Sequence, residues 1–255
     1  MLLKNKVAII TGSGRGIGRG IALRFAKEGA KICVAERSEE WGQQTVKDIE
    51  DLGSEAICIR TDVMVPEQVT AMVEKCEKRF GKIDILVNNA GLTGVDKNIL
   101  EMSYETWQTA LTSIMSSVFL CSQASARIMV KYGVDGKIIN IASINSYAAQ
   151  KCAIHYVASK GAILLMTKAM AVDLADYNIR VNAIAPGMIS TERTGPRLLN
   201  SEYRAMVERV VPLRRTGRVE EVGALATFLA SDESSYIQGE TILIDGGLMA
   251  YLRLE

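Results

Sequence analysis

Short apolar runs alternate along the chain with segments whose apolar residues recur every three or four positions. The runs cover residues 7–10, 31–36, 55–60, 84–90, 137–143, 179–186 and 240–247. They are rich in Ile and Val and lack polar alternation, as is typical of strands covered on both faces of a parallel sheet. The pattern predicts an α/β fold: one doubly wound, parallel, seven-stranded sheet with helices on both faces, in a single domain over residues 1–255.

Composition and charge narrow the classes of partner. The formal net charge is +1 and no basic tract is present, so we expect a small-molecule partner rather than nucleic acid or a membrane. The five cysteines are scattered without C-x-x-C spacing, and His155 is the only histidine, which argues against disulfides and a metal site. No apolar run reaches about 18 residues, and the N-terminal run is too short for a signal. We therefore predict a cytoplasmic protein.

A glycine-rich turn, TGSGRGIG, follows the first run and leads directly into a helical segment. Glycines let a pyrophosphate approach the backbone, and the start of a helix supplies free N–H groups and a positive dipole end. In this context we predict a dinucleotide site. The predicted contacts are Gly12, Ser13, Arg15, Gly16, Ile17 and Gly18.

The end of the second run bears on the choice of dinucleotide. A carboxylate at Glu36 can hydrogen-bond the adenosine ribose and repels a 2′-phosphate, whereas Arg37 and Arg15 can hold that phosphate. NAD is the preferred cofactor and NADP the alternative. Residues after the third and fourth runs complete the predicted site: Asp62, Val63, Asn89, Ala90 and Gly91.

A Tyr–Lys pair at i and i+4 follows the fifth run. Tyr156 and Lys160 share one helix face, and an ammonium beside a phenol favours the phenolate. Together with Ser143, at the end of the fifth run, this pair suits acid–base work at an alcohol oxygen. The sequence thus predicts Ser143, Tyr156 and Lys160 as catalytic residues.

In their order and spacing these segments resemble the classical short-chain dehydrogenase/reductase family over essentially the whole chain. The matching pieces are TGSGRGIG, Asp62-Val63, NNAG, Ser143, Tyr156 with Lys160, Pro186-Gly187 with Thr191, and the closing YIQGETILIDGG. The resemblance implies a Rossmann-type NAD(P)-dependent oxidoreductase that interconverts a secondary alcohol and a ketone, assembled as a homotetramer or, as in some members, a dimer.

The resemblance also implies roles for individual residues. Gly12, Gly16 and Gly18 would line the pyrophosphate, Glu36 the ribose, and Asp62, Val63 and Asn89 the adenosine half. Pro186, Gly187, Ile189 and Thr191 would surround the nicotinamide. Tyr156 would be the acid/base and Ser143 would orient the substrate oxygen. Lys160 would bind the nicotinamide ribose and lower the pKa of Tyr156.

One position departs from the family. An asparagine that helps to hold a proton-relay water is usual in the helix after NNAG, and alignment on Trp107 and Val118-Phe119 places Ile114 there. This side chain has no hydrogen-bonding group. Three alternatives stay open: the water is held by backbone or by Ser113 or Ser117, proton exchange is slower, or the chain is a catalytically impaired NAD(H)-binding sensor.

Substrate contacts are expected on loops. The candidates are Thr93, Gly94, Asn145, Gln150 and the segment 191–212, which we predict to form a lid and which contains Arg193 and Arg197. Asn145 and Gln150 favour a hydroxylated substrate such as a sugar or polyol, and a 3-oxoacyl-thioester reductase is the alternative. The arginines suit an anionic substrate, although arginines in such segments are commonly solvated.

Overall fold

The computed structural model describes residues 1–92 and 95–250, and its centre is the parallel seven-stranded sheet that the sequence predicts. The strands are β1 (Val7–Thr11), β2 (Lys31–Glu36), β3 (Ala56–Arg60), β4 (Ile85–Asn88), β5 (Lys137–Ile141), β6 (Arg180–Pro186), β7 (Ile189–Ser190), β8 (Gly217–Arg218) and β9 (Thr241–Ile244). The large sheet has the order β3-β2-β1-β4-β5-β6-β9. Strands β7 and β8, which are too short to give an apolar run, pair separately.

Eight α-helices are present in the described ranges. They are α1 (Gly16–Lys27), α2 (Glu39–Asp51), α3 (Pro66–Phe80), α4 (Tyr104–Ala110), α5 (Ser117–Tyr132), α6 (Ile154–Asp173), α7 (Ser201–Val210) and α8 (Val219–Ala230). Their boundaries follow capping chemistry: the side chains of Ser38, Ser103 and Asn200 accept backbone N–H bonds at the starts of α2, α4 and α7. Helix α3 begins at Pro66, and Gly81, with a φ of 83°, directly follows its last residue.

The two faces of the sheet carry separate hydrophobic cores, which is why the strands read as uninterrupted apolar runs. Phe25 of α1, Ile49 of α2 and Leu229 of α8 pack in one core. Met72 of α3 and Met129 of α5 belong to the other. The predicted doubly wound architecture is confirmed.

Residues Tyr104–Tyr132 form one continuous helical stretch of 29 residues, in which a π-helical turn (Leu111–Ser116) joins α4 to α5. In the described part of the chain it is the one helix long and apolar enough to cross a membrane, and half of its most apolar window is buried inside the protein. Cys121 and Met129 of this stretch pack in the core, so burial beside the sheet accounts for its apolar character.

Candidate active site

The topology brings the predicted site residues to one edge of the sheet. Strand β1 lies between β2 and β4, so the strand order runs outward from β1 in one direction through β2 and β3 and in the other through β4 and β5. At this switch point a crevice opens at the carboxyl ends of the strands. The turn after β1, the ends of β2 and β3, and the segment after β4 all border this crevice.

The glycine-rich turn is held by hydrogen bonds from several predicted contacts. Gly12 has a φ of +63°, and a Cβ on Gly18 would lie 2.3 Å from the Gly12 carbonyl oxygen. The Asn89 side-chain amide donates to the carbonyls of Thr11 and Gly12, both at 2.9 Å. The buried Ser13 hydroxyl donates to the Ile10 carbonyl at 2.7 Å. Ser13 and Gly18 therefore stabilise the conformation of the turn, and neither residue lines the crevice.

A cavity of about 460 Å³ occupies the crevice. Most of the predicted cofactor contacts line it: Gly12, Arg15, Gly16, Ile17, Glu36, Arg37, Asp62, Val63, Asn89, Ala90, Gly91 and Thr191. Trp41, Ser38 and Glu192 also line it, although the sequence did not single them out as cofactor contacts. Ser38 and Trp41 follow Glu36 closely in sequence, so reading further past the second strand would have found them.

The Glu36 carboxylate is held in place by the backbone around it. Its oxygens accept N–H bonds from Gly14 at 3.0 Å, Arg37 at 2.9 Å and Ser38 at 3.2 Å. The Arg15 guanidinium stacks on the Trp41 ring, 4.0 Å from its centroid. An anchored acceptor thus faces the cavity at the second strand, with an arginine held against an aromatic ring beside it.

A turn of the lid segment closes the other side of this cavity. The Thr191 amide donates to the Thr194 hydroxyl at 3.0 Å, the Thr194 amide donates to the Thr191 hydroxyl at 3.2 Å, and Thr194 donates to the Ile189 carbonyl at 2.7 Å. This reciprocal turn, which we call the Thr191–Thr194 turn, presents Glu192 and Arg193 at its tip. The Glu192 carboxylate accepts the Gly16 amide at the start of α1.

These features fit a dinucleotide. The turn leaves no room for a Cβ at Gly18. The Gly16 amide at the start of α1 binds an anionic group, the Glu192 carboxylate. The anchored Glu36 carboxylate stands where ribose hydroxyls would need an acceptor. Gly12 and Gly16 are the residues that would hold a pyrophosphate, and Glu36 is the one that would hold the ribose.

A second cavity, of about 490 Å³, contains the predicted catalytic group. Ser143, Tyr156 and Lys160 line it together with the predicted Pro186, Gly187 and Ile189. The two cavities share lining residues, namely Ile17, Asn89, Gly91, Thr191 and Arg193. The structure thus brings the Ser–Tyr–Lys group next to the far end of the dinucleotide crevice.

The electrostatics of Tyr156 differ from the sequence-based expectation. Burial raises the pKa of Tyr156, while a hydrogen bond with Ser143 and the charge of Arg193 act to lower it. The Lys160 ammonium donates to the Ile141 carbonyl at 2.6 Å and lies 5.8 Å from the Tyr156 ring centroid. Burial lowers the pKa of Lys160 to about 8. The expected lowering of the Tyr156 pKa by Lys160 is not seen, because the ammonium is turned to a backbone carbonyl.

Ile114 lies in the π-helical turn beside the catalytic cavity. It is 1% exposed and packs with Val118 and Ile163 in a small apolar cluster that also touches Tyr156. The Ser117 hydroxyl donates to the carbonyls of Ser113, at 2.7 Å, and Ile114, at 3.3 Å. The Ser113 hydroxyl bonds the Ala110 carbonyl and the Leu92 backbone. Both serine hydroxyls are therefore engaged by backbone groups.

The predicted substrate residues divide into two groups. Asn145, Gln150, Arg193 and Arg197 line the catalytic cavity, whereas Thr93 and Gly94 lie outside the described residues. Asp96 and Tyr203 line it as well. Tyr203 belongs to the candidate segment 191–212, although it was not singled out there. The sequence did not indicate Asp96, because no local motif marks a loop residue that tertiary packing brings to the cavity. The lid segment contains a 3₁₀ turn, Gly195–Leu199, and α7.

A Rossmann-type sheet with a Ser–Tyr–Lys group beside a crevice that fits a dinucleotide points to an oxidoreductase, and comparison with known proteins gives the family. The family model described as enoyl-(acyl carrier protein) reductase matches residues 12–249. Glucose 1-dehydrogenase 2 of Bacillus subtilis is 37% identical over 250 residues, which cover 98% of this chain and 96% of that protein. The chain belongs to the short-chain dehydrogenase/reductase family, whose members are hydride-transferring oxidoreductases.

Two further relatives show how wide the substrate range of similar proteins is. The 3-oxoacyl-[acyl-carrier-protein] reductase of Thermotoga maritima is 39% identical over 249 residues, covering 98% of this chain and all of its own length. The crystal structure of a gluconate 5-dehydrogenase from Burkholderia cenocepacia, in complex with NADP and tartrate, superposes with a TM-score of 0.92. It is 37% identical and covers 98% of this chain and 97% of its own.

Proposed function

We propose that the protein interconverts a secondary alcohol and a ketone with NAD(H), using Tyr156 as acid/base. The observation that carries this proposal is that Ser143, Tyr156 and Lys160 line one cavity, and that this cavity shares five lining residues with the proposed dinucleotide crevice. A bound nicotinamide would supply or accept the hydride. Tyr156 exchanges a proton with the substrate oxygen, and Ser143 orients that oxygen by a hydrogen bond.

Lys160 supplies positive charge to this site. Its ammonium donates to the Ile141 carbonyl, and the residue lines the cavity in which negative charge would develop on the alcohol oxygen. Because burial raises the pKa of Tyr156, the phenol is the dominant form at neutral pH, and this form suits proton donation to a ketone oxygen. Alcohol oxidation needs the phenolate, so its rate rises with pH.

NAD(H) is the proposed cofactor because of Glu36. The carboxylate is anchored by three backbone N–H groups, so it cannot swing away to admit a 2′-phosphate without breaking them. The alternative, NADP(H), is favoured by the proximity of Arg15 and Arg37 and by the NADP in the gluconate 5-dehydrogenase complex. The stacking of Arg15 on Trp41 supports NAD, since it directs that guanidinium to a ring.

A hydroxylated substrate, a sugar or polyol, is favoured by the amide side chains of Asn145 and Gln150 in the catalytic cavity. The 39% identity with a 3-oxoacyl-[acyl-carrier-protein] reductase supports a 3-oxoacyl thioester as the second candidate. A catalytically impaired NAD(H)-binding sensor is the non-enzyme alternative, and burial of Ile114 at the relay position is the observation that favours it.

We also propose a homotetramer in the cytoplasm. Several large apolar side chains of α5 and α6 are exposed, among them Phe119 (51%), Leu165 (71%) and Val172 (76%). Exposed apolar residues on two long neighbouring helices are typical of subunit contacts. Sedimentation of the full chain tests the assembly.

Titration of intrinsic fluorescence with NADH and NADPH, followed by a carbonyl and alcohol screen, tests the enzymatic proposal. The Kd for NADH should be lower than the Kd for NADPH, and Glu36→Ala should bring the two Kd values closer together. Turnover of at least one alcohol or ketone separates the enzyme from the sensor. Binding of NADH without turnover across sugars, polyols and oxoacyl thioesters would favour the sensor instead.

A further inference from the structure

Two arginines of the lid segment line the catalytic cavity. Arg193 is at the tip of the Thr191–Thr194 turn, whose reciprocal hydrogen bonds hold its backbone in place. Arg197 lies in the 3₁₀ turn Gly195–Leu199, directly after it. A cation carried by a fixed turn loses less conformational entropy on binding an anion than one on a mobile loop.

The charges around this cavity are mostly positive. Lys160, Arg193 and Arg197 line it, and Asp96 is the one carboxylate among its described lining residues. In the described ranges no carboxylate lies within ion-pairing distance of the Arg197 guanidinium. Arg193 lines the same cavity as Tyr156, and its charge acts to lower the pKa of that phenol. An anionic group bound by these arginines would therefore share the cavity with the reacting oxygen.

The same cavity offers neutral hydrogen-bonding groups. Asn145 and Gln150, from the segment between β5 and α6, and Tyr203 of α7 line it. Amide and phenol groups can both donate to and accept from hydroxyls. An arginine pair together with these groups matches a molecule that has one oxyanion and several hydroxyls.

We propose that Arg193 and Arg197 bind the carboxylate of the substrate, and that the substrate is a polyhydroxy carboxylic acid whose secondary hydroxyl reacts at Ser143 and Tyr156. This inference rests on the proposed function and narrows its substrate class. In the oxidative direction the hydroxyl gives its proton to Tyr156, its carbon gives a hydride to the oxidised nicotinamide, and a ketone forms.

A carboxylate fits better than a phosphate ester. The planar guanidinium matches both oxyanions with paired N–H groups. Asp96 lines the same cavity, however, and it repels a dianion more strongly than a monoanion.

Steady-state kinetics with the full-length protein and NAD⁺ test the proposal. Aldonates are compared with alditols of the same carbon skeleton: D-gluconate with D-glucitol, and D-arabinonate with D-arabinitol. D-Glucitol 6-phosphate is the phosphate probe. We expect kcat/KM for the aldonates to exceed that for the alditols by at least about tenfold, because charge-assisted hydrogen bonds are lost in the neutral analogue.

Variants locate the carboxylate. Arg193→Gln and Arg197→Gln should each lower kcat/KM for an aldonate by about 10- to 100-fold, mainly through KM, and leave any alditol activity far less affected. Arg204→Gln is the matched control, since Arg204 is an exposed arginine of α7 that does not line the cavity. Arg197 lines the catalytic cavity and not the dinucleotide crevice, so Arg197→Gln should keep the parent Kd for NADH.

A pH profile separates a direct role of Arg193 from a structural one. Lys160, Arg193, Arg197 and Asp96 are the charged groups that share the cavity with Tyr156. Because the Arg193 charge acts to lower the pKa of Tyr156, Arg193→Gln should shift the rise of kcat/KM for alcohol oxidation to higher pH, and Arg193→Lys should restore it.

Several results would overturn the inference. Equal kcat/KM for aldonates and alditols, a preference for the phosphate ester, or parent KM values in both arginine variants would each do so. Reduction of neutral ketones or oxoacyl thioesters without aldonate turnover would reject the carboxylate while preserving the oxidoreductase. Loss of both inferences would appear as NADH binding with no turnover of any probe.

Discussion

The Glu192 carboxylate accepts a 2.8 Å hydrogen bond from the Gly16 amide, a partner 176 positions away in the chain. Gly16 is the first residue of α1, where backbone N–H groups and the helix dipole favour an anion. The carboxylate of the lid segment therefore stands at the position where a pyrophosphate would be expected. A bound cofactor would therefore compete with Glu192 of the lid segment for the Gly16 amide.

Removing the charge of Glu192 should strengthen cofactor binding. We expect Glu192→Gln to lower the Kd for NADH about two- to fivefold, the range given by the interaction of one charge with a helix terminus. Fluorescence titration measures it, with Glu202→Gln, an exposed carboxylate of α7, as control. Weaker NADH binding in Glu192→Gln would show that the carboxylate helps the cofactor instead.

Tyr156→Phe should remove the acid/base. We expect kcat to fall about 10²- to 10⁴-fold, the usual contribution of general acid–base catalysis, with the Kd for NADH nearly unchanged. Tyr147→Phe is the matched control, since its hydroxyl bonds the Thr241 carbonyl at 3.3 Å and does not line the catalytic cavity. Parent turnover in Tyr156→Phe would refute the assigned role.

Burial of Lys160 makes the free energy of unfolding vary with pH in the alkaline range. Its pKa is about 8 in the folded protein against 10.5 in an exposed lysine, so the unfolded chain binds the proton more tightly between these values. Relative to Lys160→Met, the parent should gain stability from pH 8 to 10.5, by up to about 3 kcal/mol. Urea unfolding of both proteins across this range measures the difference. A constant difference would place the ammonium in a solvated site.

Ile114→Asn should separate stability from activity. An amide in this apolar cluster lowers the free energy of unfolding by about 1–3 kcal/mol unless it finds a partner. Activity should stay similar or rise, since asparagine is the side chain that the family usually places here. Thermal unfolding and kcat are measured together, and Ile114→Val controls for packing at the same position. Complete loss of activity would mean that Ile114 itself positions Tyr156 or substrate.

The sheet and most of the cavity lining were predictable because they depend on local patterns. Glu36 and Ser143 could be placed at strand ends, since apolar runs mark strands and ligands bind at their carboxyl ends. Arg193 and Arg197 were candidates through their lid segment. These inferences need only the order of residues and the known geometry of parallel sheets.

Contacts that join distant segments were not predictable in the same way. The bond from Gly16 to Glu192 and the turn of the Lys160 ammonium to Ile141 depend on packing that no periodicity encodes. Asn89 lines the crevice, and its amide also donates to the Thr11 and Gly12 carbonyls, a contact that no local pattern predicts. The π-helical turn at Leu111–Ser116 also escaped the pattern, because π and α turns differ little in apolar spacing.

The Thr191–Thr194 turn directs neighbouring residues to two different cavities. The Glu192 carboxylate contacts the start of α1, while Arg193 lines the catalytic cavity. The positions of both residues depend on the hydrogen bonds of the Thr191 and Thr194 hydroxyls. A loop graft that exchanges this tetrapeptide between relatives would therefore alter coenzyme affinity and substrate choice together. Selection for a new substrate in a mutant library should accumulate changes at the two positions between the threonines while retaining the threonines themselves.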